Sequence, residues 1–364
     1  MTRHLYVHLP FCAHRCGYCD FVTVVGRNGQ HDAYVDALLA ELALERELLA
    51  PDVETVFLGG GTPTFTEPHA LERLLLGLPA AEEVTVEANP ETVTQELARM
   101  LRTLGVNRVS LGVQSFRPHL LTVLDRVAQP DTVRRAFYHL RDAGFDNISF
   151  DLIYGIPGQS PAGLEADIGD ALALGPEHLS CYELEAKPGT RFTHEHGEEL
   201  ARQADAMESY FELVVAALTG NGYRWYETAN FCREGDRDLR SRHNLAYWLG
   251  RDYLGLGIGA VSTIAARRWR NTPRLRAYVE QLAAGERPGR ELEPLPVDVQ
   301  LRERVMLGLR LDEPLSVDGL GDVIDLTALE RLERLGLAAR RNGSLALTAR
   351  GRMLGGGVTA DLLA

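Results

Sequence analysis

Residues 10–21 read PFCAHRCGYCDF, and the run just ahead of them, HLYVHL at His4–Leu9, has the β-branched and aromatic make-up of a strand. The three cysteines, Cys12, Cys16 and Cys19, stand in the spacing C-x3-C-x2-C. Such clustering in a chain without export features points to metal rather than disulfides. Three thiolates on one short loop can hold three irons of a four-iron, four-sulfur cubane and leave the fourth iron without a protein ligand. The amine and carboxylate of S-adenosylmethionine suit that fourth iron. An electron from the cluster then cleaves the sulfonium C–S bond to a 5′-deoxyadenosyl radical. With His8 or His14 as a fourth ligand the same thiolates would make a tetrahedral zinc site, and the spacing alone leaves both readings open.

Working outward, five more strand-like runs follow: VETVFL, EVTVEA, NRVSLG, NISFDLI and HLSCYEL. Between them lie helical patterns at Asp32–Leu49, Pro68–Leu76, Thr94–Leu104 and Asp131–Ala143, with Gly105, Gly144 and Gly175 where helix C-terminal caps prefer glycine. Repeated strand and helix predict a parallel sheet with right-handed crossovers. Beyond residue 185 the rhythm changes to a long helical pattern over Glu198–Thr219 and a strand-like RWYET. The proline-rich RPGRELEPLPVD at 287–298 reads as a linker. Two helical patterns, the turn NGS and the strand SLALT then predict a small winged-helix module. The expected domains are 1–185, 186–290 and 291–364.

A chain of 364 residues with 45% hydrophobic and 24% charged residues can bury a sizeable core. Its net charge of −13 argues against a nucleic-acid binder, which needs clustered Lys and Arg. Arg331, Arg334, Arg340 and Arg341 in the C-terminal module read as a solvated basic face rather than a DNA surface. No apolar run reaches the ~18–20 residues of a membrane span, so the cytoplasm is the default compartment. GLGIGA lacks the βαβ context of a dinucleotide fingerprint.

In barrel-like α/β folds, ligands lie at the carboxyl ends of the strands. There the chain offers GGGTPT, whose glycines allow close backbone approach and whose Thr62 adds a hydroxyl, although the run alone is also an ordinary tight turn. Glu87, Gln114 and Asp151 are polar at strand ends in otherwise apolar runs. Glu87 suits an ammonium, Gln114 and Asp151 an amino-acid or ribose edge, and Arg126 a carboxylate.

YVHLPFCAHRCGYCDF, GGGTPT, the Glu87 strand, GVQSF and DLIYGIPGQ resemble the radical S-adenosylmethionine (SAM) domain of the oxygen-independent coproporphyrinogen III oxidase family, along nearly the whole chain. The resemblance implies a partial (β/α)6 TIM-type barrel, a C-terminal α+β extension and the winged-helix-like domain. It also implies Tyr6, Tyr18, Gly60, Gly61, Thr62, Glu87, Gln114, Arg126 and Asp151 as SAM contacts. It implies no catalytic side chain beyond these.

Within the family, the oxidases resemble C-x3-C-x2-C-x-C, whereas here Asp20 and Phe21 follow Cys19. SRHNLAYW, followed by YLGLGIGA, resembles the HNxxYW motif of the haem chaperone branch, HemW. By that likeness His243, Asn244, Tyr247 and Trp248 contact haem. Without it, they read as packing of the second domain around a hydrogen-bonded core histidine. Val261 stands where relatives often carry a histidine, and Cys232 reads as incidental, with a haem thiolate left open. The function implied is a haem chaperone that holds a 4Fe-4S cluster, SAM and haem. Its partners would be a haem-accepting protein and an electron donor such as flavodoxin or ferredoxin. The alternatives are an oxygen-independent coproporphyrinogen III oxidase (dehydrogenase) and a HemN-like radical SAM methyltransferase, which needs a second SAM.

Overall fold

A computed structural model describes residues 1–26, 28–187 and 191–363. Six strands alternate with helices as expected: β1 (His4–Leu9), β2 (Thr55–Gly60), β3 (Glu83–Ala88), β4 (Arg108–Gln114), β5 (Ile148–Tyr154) and β6 (His178–Glu183). All five neighbouring pairs are parallel, in chain order. Both faces of such a sheet are covered, so its strands are apolar almost throughout. Leu5, Val7, Leu58, Val86, Leu111, Ile148 and Phe150 have no measurable exposure. Each contributes roughly 1.5–3 kcal/mol through burial.

The crossover helices are α1 (His31–Glu45), α2 (Pro68–Gly77), α3 (Gln95–Thr103), α4 (Pro118–Val123), α5 (Pro130–Asp142) and α6 (Pro161–Leu174). Their ends follow local chemistry. The Thr94 hydroxyl accepts the Leu97 N–H at 3.1 Å and starts α3, which turns Leu97, Ala98 and Leu101 to the sheet. Gly175 closes α6 at φ 68°, a left-handed conformation that costs glycine little.

The sheet does not stop at residue 185. The next elements are α7 (Arg191–Gln203), α8 (Met207–Thr219), β7 (Tyr223–Trp225), β8 (Asn230–Arg233), α9 (Arg242–Trp248) and β9 (Leu254–Leu256). Strand β9 pairs parallel with β1, while β8 pairs antiparallel with β6 and with β7. The result is one nine-stranded sheet in the order β9-β1-β2-β3-β4-β5-β6-β8-β7. Strands β8 and β9 thus pair the two outer strands of the barrel sheet, which leaves only the three-residue β7 and β9 at its edges. The helical pattern of 198–219 is broken by a 3-10 turn at Ala204–Ala206, and RWYET keeps only Tyr223–Trp225 as strand.

A second correction concerns the proline-rich stretch. Strands β10 (Val261–Ile264), β11 (Arg267–Asn271) and β12 (Arg290–Pro294) form an antiparallel sheet, with α10 (Leu275–Ala283) between the last two. Residues 290–294 are therefore a strand and not a linker. Pro294 is tolerated because it ends an edge strand, where no ladder N–H is lost. Arg287 and Arg290 anchor the stretch to the buried Glu45 of α1 at 2.7 and 2.8 Å.

The C-terminal module holds α11 (Val297–Gly308), α12 (Leu326–Arg334) and the sheet of β13 (Leu315–Ser316), β14 (Ala338–Arg341) and β15 (Ser344–Leu347), followed by α13 (Ala349–Met353) and α14 (Gly355–Leu362). It has its own core around Val305, Leu329, Leu345 and Leu362. Arg331 pairs with Asp361 and Arg340 with Glu333, so these two arginines of the basic face are matched by acids. Among the described residues no helix is long and apolar enough to cross a membrane.

Candidate functional site

The cysteine loop leaves the carboxyl end of β1 and folds back so that Phe11–Cys12 pairs with Val24–Val25. Cys12, Cys16 and Cys19 are half-buried. The Cys12 sulfur lies 3.5 Å from the Thr62 hydroxyl, and the Cys16 sulfur lies 3.9 Å from Arg126 Nη1. Burial raises the thiol pKa of both Cys12 and Cys16, while Thr62 and Arg126 respectively pull the other way. Iron binding here must therefore displace protons from reluctant thiols, and the Arg126 cation favours that exchange.

Around the loop the strand ends bring the expected ligand residues together. Gly60 has φ 113°, and a side chain there would meet the His8 ring at 2.4 Å. At Gly61 a Cβ would lie 2.5 Å from the Pro10 backbone. Only glycine lets β2 pass this close beneath the loop. The Gly60 N–H donates to Glu87 Oε2 at 3.0 Å. Burial, then the neighbouring Asp151, pushes the Glu87 carboxyl up to about 7. Across the sheet Glu87 stands opposite Ser110, and Asp151 opposite Gly112 and Ser180. Both Asp151 oxygens accept from the Ser110 hydroxyl, at 3.0 and 3.2 Å, and burial raises the Asp151 pKa. Gln114 sits at φ 66° beside a register shift in β4, a bulge that re-aims the strand end. Tyr18 lies close enough to Arg126, Cys16, Cys19 and Asp151 to feel each charge, and burial raises its pKa.

Arg126 is held by Asn89 Oδ1 at 2.8 Å and the Gly112 carbonyl at 2.9 Å, leaving its buried Nε without a partner. The buried Glu91 Oε2 is likewise unpartnered. Sequence reasoning missed Asn89, which also donates to Thr62 at 2.9 Å and so ties the glycine turn to Arg126. Its signal was its position, two residues past Glu87 at the same strand end. Ser110 and Ser180 gave none, being small polar residues inside strands.

The zinc alternative fits poorly. Both His8 ring nitrogens are engaged, by the Tyr6 hydroxyl at 3.0 Å and the Val22 carbonyl at 2.8 Å. His14 Nε2 is bonded to the Asp125 carbonyl at 2.7 Å. Among the described residues no three His, Cys, Asp or Glu side chains close on one ion. A cubane instead gives each thiol its own iron. The thiols, the cation beside them, the glycine turn and the unpartnered polar atoms fit a cluster with an amino-acid ligand.

The four residues expected at haem separate. His243 is buried, stacks on Phe57 at 5.0 Å and bonds Thr55 through Nδ1 at 2.8 Å and Tyr247 through Nε2 at 3.0 Å. Burial pushes its pKa down to about 3, so it is a neutral core histidine with no nitrogen left for iron. Trp248 faces the C-terminal module, with Arg310 4.9 Å over its ring. Tyr247 alone of the four lines a pocket of about 270 Å³ on the β9 side of β1, together with Tyr6, Phe21, Tyr253, Val261 and Arg270. Asn244 is not on that lining, and its backbone N–H is spent on the Ser241 cap of α9. Cys232 is buried in β8, and its thiol is pushed up to about 11 by burial, as befits a packing residue.

Comparison with known proteins adds to this geometry. The profile of the Radical SAM superfamily matches residues 6–171, and that of the HemN C-terminal domain matches residues 295–354. The haem chaperone HemW of Mycobacterium tuberculosis is 38% identical over 99% of this chain and 94% of its own length. That of Bacillus subtilis is 34% identical over 98% of each. Among solved structures, the coproporphyrinogen III oxidase HemN of Escherichia coli, a radical SAM enzyme, superposes with a TM-score of 0.80 at 25% identity, covering 98% of this chain and 89% of its own.

Proposed function

Because the chain belongs to the HemW branch of the radical SAM, coproporphyrinogen III oxidase-like family, we propose that it is a haem chaperone that binds haem and hands it to a haem protein. A 4Fe-4S cluster and SAM are the cofactors of that superfamily. When bound, the cluster supplies an electron to the sulfonium of SAM. Cys12, Cys16 and Cys19 hold the cluster. Glu87 receives the ligand's ammonium: its carboxyl, held near pH 7, gives up its proton as the cation arrives. Arg126 faces the carboxylate, Gly60 and Gly61 admit it, and Thr62 offers a hydroxyl. Tyr6, Tyr18, Gln114 and Asp151 complete the contacts to the amino-acid and ribose parts. The electron for such a cluster would come from a small electron-transfer protein such as a flavodoxin or ferredoxin.

The observation that carries the reading lies in the loop. After Cys19 the chain reads Asp20–Phe21, without the further cysteine of the oxidases, and Phe21 is 64% exposed at the mouth of the aromatic pocket. The test is anaerobic reconstitution followed by separate addition of haem and coproporphyrinogen III. Haem uptake near one per chain without decarboxylated product is expected. Turnover to protoporphyrinogen overturns the reading in favour of the oxidase. Cys16→Ala should abolish the cluster absorbance.

A further inference from the structure

The pocket beside β1 deepens this function, and the argument rests on the reading that the chain binds haem. Its walls are Tyr6, Phe21, Tyr247 and Tyr253 over a floor of Val22 and Val261. Tyr247 and Tyr253 meet edge to face at 4.6 Å, which fixes two flat surfaces at right angles. At about 270 Å³ it falls just below the roughly 300–1,000 Å³ that encloses a drug-sized ligand. A macrocycle larger than that enters by one edge and leaves the rest in solvent.

Charge selects which edge. Arg270 stands opposite Val261 in the ladder and projects onto the pocket. It is exposed, and its guanidinium has no hydrogen-bond or ion-pair partner among the described residues. Two positions away, Arg268 grips Glu303 through both nitrogens at 2.8 and 2.7 Å. An unmatched guanidinium beside an aromatic cavity, in a chain of net charge −13, is suited to a planar carboxylate. The one carboxylate on the lining, Asp20, already faces Lys187 at 3.8 Å.

The imidazoles are equally informative. His8 is on the lining and His243 is packed behind it, and all four of their ring nitrogens are spent on hydrogen bonds inside the protein. Val261 adds a methyl surface and no donor. We propose that this pocket holds a propionate-bearing edge of the tetrapyrrole, with Arg270 clamping the carboxylate and Phe21 stacking on the ring, and that neither His8 nor His243 ligates the iron. The cargo is then recognised by its organic periphery, a mode that leaves the metal open to an acceptor's own ligand.

The test uses the full-length, cluster-reconstituted protein, titrated separately with ferric haem, its dimethyl ester and metal-free protoporphyrin IX. Arg270→Glu should weaken haem about 10-fold, the loss of one charge-assisted contact, and leave the dimethyl ester within about 2-fold by the same argument. Arg267→Glu, the same charge change on an exposed residue off the lining, should leave both unchanged. Phe21→Ala should weaken all three. Metal-free porphyrin should bind like haem. Wild-type haem affinity in Arg270→Glu, or loss of binding on removing the iron, overturns this placement. No haem binding by the wild type would instead bring down the functional reading itself.

Discussion

The buried Glu41 and the half-buried Glu87 each have a carboxyl pushed up to about 7, chiefly by desolvation, yet they belong to different kinds of place. Glu41, on α1, accepts from Tyr278 at 2.5 Å, Asn271 at 2.7 Å and the Gly257 N–H at 2.9 Å, with Arg290 at 3.8 Å. It is fully enclosed and fully matched. Glu87 accepts from the Gly60 N–H at 3.0 Å and has the repelling Asp151 beside it. The same shift therefore means a latch in one place and an unanswered charge in the other. An unanswered charge at the strand ends is what a ligand's ammonium answers.

Removing the latch should have the largest effect. Glu41→Ala strands the Tyr278 hydroxyl and the Gly257 N–H and takes a partner from Asn271, and an unfolding titration should show a loss of about 3 kcal/mol or more. Next, Glu87→Gln should lower SAM affinity about 30-fold, the worth of roughly 2 kcal/mol of charge-assisted pairing. Calorimetry on reconstituted protein measures it, and an unchanged affinity would erase the distinction between the two sites. Tyr278→Phe should cost about 1 kcal/mol by removing one hydrogen bond to Glu41. A pH-dependent contrast concerns Glu87 without ligand. Its folded pKa near 7 lies above the ordinary 4.5, so ionisation burdens the native state increasingly from pH 4.5 to pH 7. Glu87→Gln should match the wild type in stability near pH 4.5 and be more stable above pH 7, by at most about 3 kcal/mol, as melting curves at the two pH values will show.

The barrel was legible because each strand from β1 to β6 is a short apolar run bounded by helical periodicity, and such signals are local. The cysteine loop was legible for the same reason. The latch was invisible, since Glu41 and Asn271 are 230 residues apart and no short-range pattern links them. The placing of His243 was not legible, because the motif around it names residue types and not directions. On the seven-residue α9, His243 turns inward to Thr55 while Trp248 turns toward Arg310. Residues 290–294 misled because the flanking Pro288, Gly289 and Pro296 signal a break, whereas an edge strand fits between them and tolerates Pro294 at its end.

The pairing of β9 with β1 sets an order on biosynthesis. The strand that leads into the cysteine loop is made long before its partner on the outer flank, and that flank stays bare until Leu254–Leu256 has been made. A contact of such long range closes late. Iron and sulfide delivered earlier than that would meet a loop hung from a half-finished wall, so productive loading follows the making of β9.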